Sequence, residues 1–455
     1  MYRRGTSTRQ PAVIARRRIG LAFGTIGLAV GSLAYATPAP AQPASAADGT
    51  WSDAKVIAQD PWISPYGDPA VKTNVASNGR VLTQWLQGPD QLWGATRAPG
   101  GDWRAAQRIS GAGQSVWNDA ATAWGNGAIT VAWRGANANH VTGVWVRDLR
   151  ADGTWGPVQR VAQTGSNSVN RIDLEFDRNA AVTAAAWVRA GDVRVGWRPA
   201  GGGWQLSQPV PVTNASPLAV NVDANGRVDV LVWSHGKISS VGMRPNGTWQ
   251  SPVQIAPRAG ATWTGYSAVD SNGAGDLTIG WLERAGGQTK SVVATREVGQ
   301  SWSIHELPDS AGGVDVAMSA DGKVSAAWIA PTSATVRLQQ RAADGTWGPI
   351  QELDSFPNEV SDSIGIDANA RGDAIVRYLA QPCASGDPCR TWTVVRCISG
   401  DGCSAPMELA PPVWWFYPEV RLGPQGEAYA QWGAGCHTEA CYYTAVRSRI
   451  LPPPI

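Results

Sequence analysis

Asp152-Gly153-Thr154-Trp155 and its near copy Asp344-Gly345-Thr346-Trp347 belong to a series that decides the fold. A Gly-containing turn ending in Trp, in its fullest form Asp/Asn/Gly-Gly-x-Trp, recurs at Trp51, Trp103, Trp155, Trp204, Trp249, Trp302 and Trp347, with about 45 to 53 residues between copies. A second tryptophan series runs between them, at Trp85, Trp133, Trp187, Trp233, Trp281, Trp328 and Trp432, each closing an apolar stretch that, except at Trp187, follows a Gly-containing turn. Two interleaved ladders with one period mean one copied unit. At this period, with strand-like sequence inside each copy, the unit is a propeller blade.

Each copy holds four short strands. Turns such as Ser77-Asn78-Gly79, Asp223-Ala224-Asn225-Gly226 and Ala320-Asp321-Gly322 join the first two, and the Trp-bearing turn joins the last two. The strands alternate with period two and are rich in Val, Ile, Thr and Trp, and no stretch after the leader has helical period. The expected fold is all-β: a single β-propeller of eight four-stranded blades. Tyr378 replaces Trp in the seventh copy, and Gly400-Asp401-Gly402-Cys403 stands in for its Trp-bearing turn. A seven-bladed ring would leave that copy outside. The chain opens with a fourth-strand motif, Asp48-Gly49-Thr50-Trp51, and ends after a third strand near Tyr442–Arg449. The N-terminal strand is therefore expected to complete the last blade and close the ring.

The Gly-x-Trp turn resembles a degenerate Asp-box, the turn motif of sialidase-type propellers, and the resemblance runs over residues 47–455. The full motif spaces Ser, Asp, Gly and Trp more widely than Asp152–Trp155 or Asp344–Trp347 do. It implies the blade. The arginine cluster, tyrosine nucleophile and acid partner of sialidase chemistry find no matching positions here.

Residues 1–46 read as a secretory signal peptide, with residues 47–455 forming the propeller domain. Six arginines (Arg3, Arg4, Arg9, Arg16, Arg17, Arg18) precede the apolar run Ile19–Ala36, and Ala44-Ser45-Ala46 offers a cleavage site. The route is either the general secretory or the twin-arginine pathway, and the expected location is extracellular with no membrane span after cleavage. The chain holds 38 basic and 36 acidic side chains, so removing the six leader arginines leaves 32 against 36, a net charge of about −4. A basic nucleic-acid footprint is absent. The preference for arginine over lysine reads at this stage as codon usage.

All six cysteines fall in the last quarter: Cys383, Cys389, Cys397, Cys403, Cys436 and Cys441. In an exported chain an even count reads as disulfides, and pairing neighbours in sequence would staple one hairpin each. The spacings match no C-x-x-C zinc pattern.

In a four-stranded antiparallel blade, the connections between second and third strands and between blades share one face of the disc. The irregular residues gather there. Trp62, Trp117, Trp263, Trp414, Trp415 and Tyr417 are the expected ligand-binding platform, and His140, His235 and His437 are the candidate catalytic bases. The ladder tryptophans are expected in the core, with each indole N–H bonded locally. The turns opening at Asp223, Asp270 and Asp367 alternate side-chain oxygens as calcium loops do but lack the further carboxylate, so no cofactor is expected and calcium is the one ion considered. Motifs for phosphate binding, Ser-hydrolase or zinc-protease chemistry are absent.

The function expected is binding of an extracellular glycan or polysaccharide by a monomer, with flat rings stacking on sugar faces. Two alternatives stay open: a polysaccharide lyase or glycosidase using a His/Arg/Tyr site on that face, and a protein-interaction scaffold at the cell surface.

Overall fold

The structure is a computed structural model. It describes residues 49–454 apart from 64–70, 89, 124–126, 164–174, 179–181, 190, 200, 310–311, 331–333, 357–362, 381–390, 411–417 and 435–442. No helix occurs among the described residues, and so none long and apolar enough to cross a membrane.

The strands form eight four-stranded antiparallel blades. Blade 1 runs Val71–Val75, Val81–Gln87, Gln91–Arg97 and Gln107–Arg108, and blade 2 Ser115–Ala123, Ile129–Ala136, Thr142–Leu149 and Gln159–Gln163. Blade 3 is Glu175–Arg178, Val182–Arg189, Asp192–Pro199 and Gln205–Leu206. Blade 4 is Ser216–Val222, Val228–Ser234, Lys237–Met243 and Val253–Ala256. Blade 5 is Thr262–Ser271, Leu277–Ala285, Gln288–Arg296 and Ser303–Glu306; blade 6 is Val314–Met318, Val324–Ala330, Thr335–Arg341 and Gln351–Ser355. Blade 7 is Ile364–Ala368, Ala374–Ala380 and Thr391–Ile398, with Gly402–Cys403 and Met407–Ala410 sharing the outer position. Blade 8 is Glu419–Leu422, Ala428–Ala434 and Tyr443–Leu451, completed by Lys55–Ile63.

The first strand of every blade contacts the first strand of the next, and the series returns to its start. The ring is closed. Its seam pairs the amino-terminal strand with the carboxy-terminal one, Lys55 opposite Ser448 and Ala58 opposite Val446, and Ile63 reaches on to Gln87 of blade 1. An inner strand has no sheet partner on its channel side, so some of its amides need other acceptors. The neighbouring blade supplies them. The amides of Met318, Ile366 and Leu422 donate to Asp270 (2.8 Å), Asp315 (3.1 Å) and Asp367 (2.7 Å) of the preceding blade. Arg421 carries the chain across the seam, donating to Asp367 (3.1 Å) and to the Thr73 carbonyl of blade 1 (3.2 Å). Burial opposes its charge, and Glu419 and Asp367 outweigh that, raising the guanidinium above its ordinary value.

The second-strand ladder is core. Trp85, Trp133, Trp187, Trp281, Trp328 and Tyr378 are almost wholly buried, with Trp233 and Trp432 close behind. One expectation is corrected here. Trp281 donates its indole N–H to Glu283, but those of Trp85, Trp133, Trp187, Trp233 and Trp328 lie buried with no acceptor among the described residues. Wedge filling decides the residue: an indole buries a large apolar area, which offsets the cost of one poorly partnered N–H.

The turn ladder is half-buried, and arginines cover it. Arg147, Arg198 and Arg296 lie 5.4, 5.1 and 5.3 Å from the rings of Trp155, Trp204 and Trp302. Each then reaches the preceding blade: Arg147 to the Arg108 and Ile109 carbonyls, Arg198 to Gln159 and Asp148, Arg296 to Asp229 and Ser240. Only a flat, multiply donating cation stacks and bridges at once. The arginine preference thus has a chemical role, which codon usage does not capture.

Blade 7 sits inside the ring, so the seven-bladed alternative is excluded. Cys397, the last residue but one of its third strand, pairs with Cys403 through a 2.07 Å disulfide. Elsewhere the same six-residue step is a strand bridge to the turn tryptophan: Arg97 to Trp103, Leu149 to Trp155, Met243 to Trp249, Arg341 to Trp347. The disulfide replaces the indole. Cys383, Cys389, Cys436 and Cys441 lie outside the described residues.

Candidate functional site: the cleft between blades 4 and 5

Connectivity places the second-to-third and blade-to-blade connections on one face. Trp117 and Trp263 both stand there, at breaks in register between Val116 and Asn118 and between Trp263 and Ser267. Trp117 is 49% exposed, with the buried guanidinium of Arg134 5.5 Å from its ring. Burial lowers the Arg134 pKa. Trp263 is half-buried and lies 5.6 Å from Trp233 of blade 4, the rings tilted by 47°. The two sites are three blades apart, so they form separate surfaces on one rim. Trp414, Trp415, Tyr417 and His437, and the side chain of Trp62, lie outside the described residues.

His140 and His235 occupy hairpin turns of blades 2 and 4 on that face, with φ of +58° and +50°. His235 and Gly236 together make the two left-handed residues of a tight turn between paired Ser234 and Lys237. The His235 ring Nδ1 lies 2.8 Å from the Ser234 hydroxyl. The two histidines stand on different blades, with blade 3 between them. His305 is elsewhere, on an outer strand, stacked 4.3 Å from Trp347.

The described residues converge most fully between blades 4 and 5. Period two places Glu283 on the same side of its strand as Trp281, and the sheet register sets Trp263 and Lys290 on either side of it. Glu283 is 0% exposed. It accepts the Trp281 indole N–H (2.9 Å), the Arg258 amide (3.0 Å) and Arg258 Nε (2.5 Å). Gly260, at φ +80°, turns the chain so that the Ala261 amide bonds back to the Arg258 carbonyl, fixing Arg258 at the cleft. Arg258 Nη2 continues to Glu306 (2.9 Å), which also accepts Lys290 Nζ (2.5 Å). Burial works against the Arg258 charge, and the two carboxylates together outweigh it, raising its pKa. Lys290 first and Arg258 second hold Glu306 below the ordinary carboxylate value.

Sequence reading named Trp263 as a site residue, but not Glu283, Arg258, Lys290, Glu306 or Trp233. A signal was present. Two residues after the ladder aromatic the other copies carry Gln87, Gly135, Arg189, His235, Ala330, Ala380 and Ala434, so the carboxylate at 283 is the departure.

Other polar groups are committed to the fold. The Tyr378 hydroxyl donates to Asp354 (2.6 Å) between blades 6 and 7, and burial raises both pKa values. The turn oxygens considered for calcium bind backbone instead: Asp223 accepts the amides of Asn225 and Arg227, Asn272 those of Ala274 and Asp276, and Asn369 those of Arg371 and Asp373. No cluster of three metal-binding side chains occurs among the described residues. A polar recess of about 280 Å³ on the opposite face holds Asp148 and Gln159, both bonded to Arg198.

No protein-family model matches the sequence, and no curated protein matches it. Among solved structures the chain is similar to the BP39L lectin of Burkholderia pseudomallei, at 13% identity and TM-score 0.49 over 75% of this chain and 98% of that one. It is also similar to AofleA of Arthrobotrys oligospora (12%, TM-score 0.39, 79% and 90%) and to a PL25 ulvan lyase (10%, TM-score 0.43, 71% and 89%). None of these distances assigns an activity to this chain.

Proposed function

We propose that this is a secreted propeller that binds a glycan or polysaccharide through its loop face, as a monomer. The observation that carries the reading is the cleft between blades 4 and 5. There Trp263 leans on Trp233 beside a carboxylate–guanidinium pair held by three hydrogen bonds. An indole face takes the C–H side of a sugar, and rigid polar groups beside it orient hydroxyls. Trp117, backed by Arg134, offers a second stacking surface on the same rim. The proposed relationship to sialidase-type propellers is one of blade and turn: Asp152 caps Thr154, and Asn246 caps Thr248, within the Gly-x-Trp turn.

The test is retardation of the protein in gels containing a panel of polysaccharides. Trp263→Ala and Trp117→Ala are expected to lose retardation while keeping the wild-type circular dichroism spectrum. Release of unsaturated or reducing sugars would replace this reading with the enzyme. No retardation on any polymer, with one cell-surface protein co-purifying, would replace it with the scaffold.

A further inference from the structure

We infer that the ligand of the cleft between blades 4 and 5 is an uncharged saccharide, an inference that rests on the glycan-binding reading. Sheet alternation sorts the charges. Trp281, Glu283 and Lys290 point from blade 5 towards Trp233, and Glu306 and Arg258 join them. That gives two cations and two carboxylates, linked as Glu283–Arg258–Glu306–Lys290 by contacts of 2.5, 2.9 and 2.5 Å.

Nearby charges belong to other clefts. Arg284 pairs with Thr262 and, by alternation, lies on the side of the sheet opposite Glu283. Lys237 pairs with Ser234, whose hydroxyl donates to the Thr213 carbonyl in the connection between blades 3 and 4. Arg296 and Asp229 also lie between these two blades, but at the far end of the strands, where they pair with each other at 2.9 Å; His235 follows Trp233 by two residues.

A uronate or sulfate entering the cleft gains a cation only by separating it from Glu306 or Glu283. Glu283 is wholly buried, and leaving a buried charge uncompensated is strongly unfavourable. An amino sugar meets the mirror-image cost. A hydroxyl both donates and accepts, so it lies against the exposed edges of Arg258, Glu306 and Lys290 without parting any pair. Those three side chains are about one-third exposed, at 30%, 36% and 32%, which leaves such edges open.

The experiment titrates the purified protein with matched polymers: galactan against polygalacturonate, chitin oligosaccharides against their deacetylated forms, with glucan and mannan as further neutral probes. Binding to at least one neutral probe is expected, with any charged counterpart about tenfold weaker or more and little change with salt. Glu306→Gln should shift preference towards polygalacturonate. Tighter binding of a charged polymer that Trp263→Phe weakens, a steep salt dependence, or an unchanged preference in E306Q overturns the inference but leaves glycan binding standing. Absence of binding to every polymer overturns both.

Discussion

The Leu422 amide of blade 8 donates to the Asp367 carboxylate of blade 7 at 2.7 Å, and Asp367 also accepts Arg421 at 3.1 Å. One carboxylate thus holds a channel-side amide of the next blade and the arginine that reaches blade 1. Asp367→Ala should lower stability by about 2–3 kcal/mol, read as a shifted denaturant midpoint. Glycan retardation of the folded variant should not change. An unaltered midpoint would show that these amides are satisfied some other way.

Tyr378→Phe removes the donor that helps to keep Asp354 ionised. Asp354 is already raised by burial, so losing this bond raises it further. A carboxyl with a raised folded pKa weakens the fold above that pKa and ceases to do so once protonated. The variant should therefore lose about 1–3 kcal/mol at neutral pH, with the deficit shrinking as pH falls. A deficit that stays constant with pH would count against this account.

Glu306 has the opposite sign. Lys290 and Arg258 depress its pKa from 4.5, so its stabilising effect is present above that value and fades as acid protonates the folded state. Glu306→Gln should flatten the acid limb of the stability profile. Melting temperatures measured from neutral pH down to about pH 3 would test this, and a limb as steep as wild type would refute it.

Cys397 and Cys403 occupy the six-residue step that arginine and tryptophan occupy in blades 1, 5 and 6. Reduction, or Cys397→Ala with Cys403→Ala, should cost about 2 kcal/mol by loop-closure entropy. Cys397→Arg with Cys403→Trp should restore part of it by recreating the stacked pair of Arg296 and Trp302. A double replacement no better than the double alanine would separate blade 7 from its siblings.

The eight blades and their closure were legible because both depend on local chemistry repeated: Gly at left-handed turn positions, Trp at a fixed step, period-two strands. The seventh blade was readable even without its tryptophans, since Gly400 to Cys403 kept the spacing. The cleft was only half legible. Trp263 announced itself by breaking the repeat, but Arg258 and Glu283 are 25 residues apart and belong to different parts of the chain. Their meeting depends on how one blade leans on the next, which no local pattern encodes. The backbone of His235 was not legible either: it sits in a turn that needs two left-handed residues, and composition alone does not reveal φ.

The strand Lys55–Ile63 waits for Tyr443–Leu451. During synthesis from the amino end, its hydrogen-bonding edge stays unmatched until nearly four hundred further residues have been added. That makes it the longest-lived sticky edge of the nascent protein. A cell producing this chain must keep that segment from alien partners until the final hairpin arrives, and a truncated product would carry the hazard permanently.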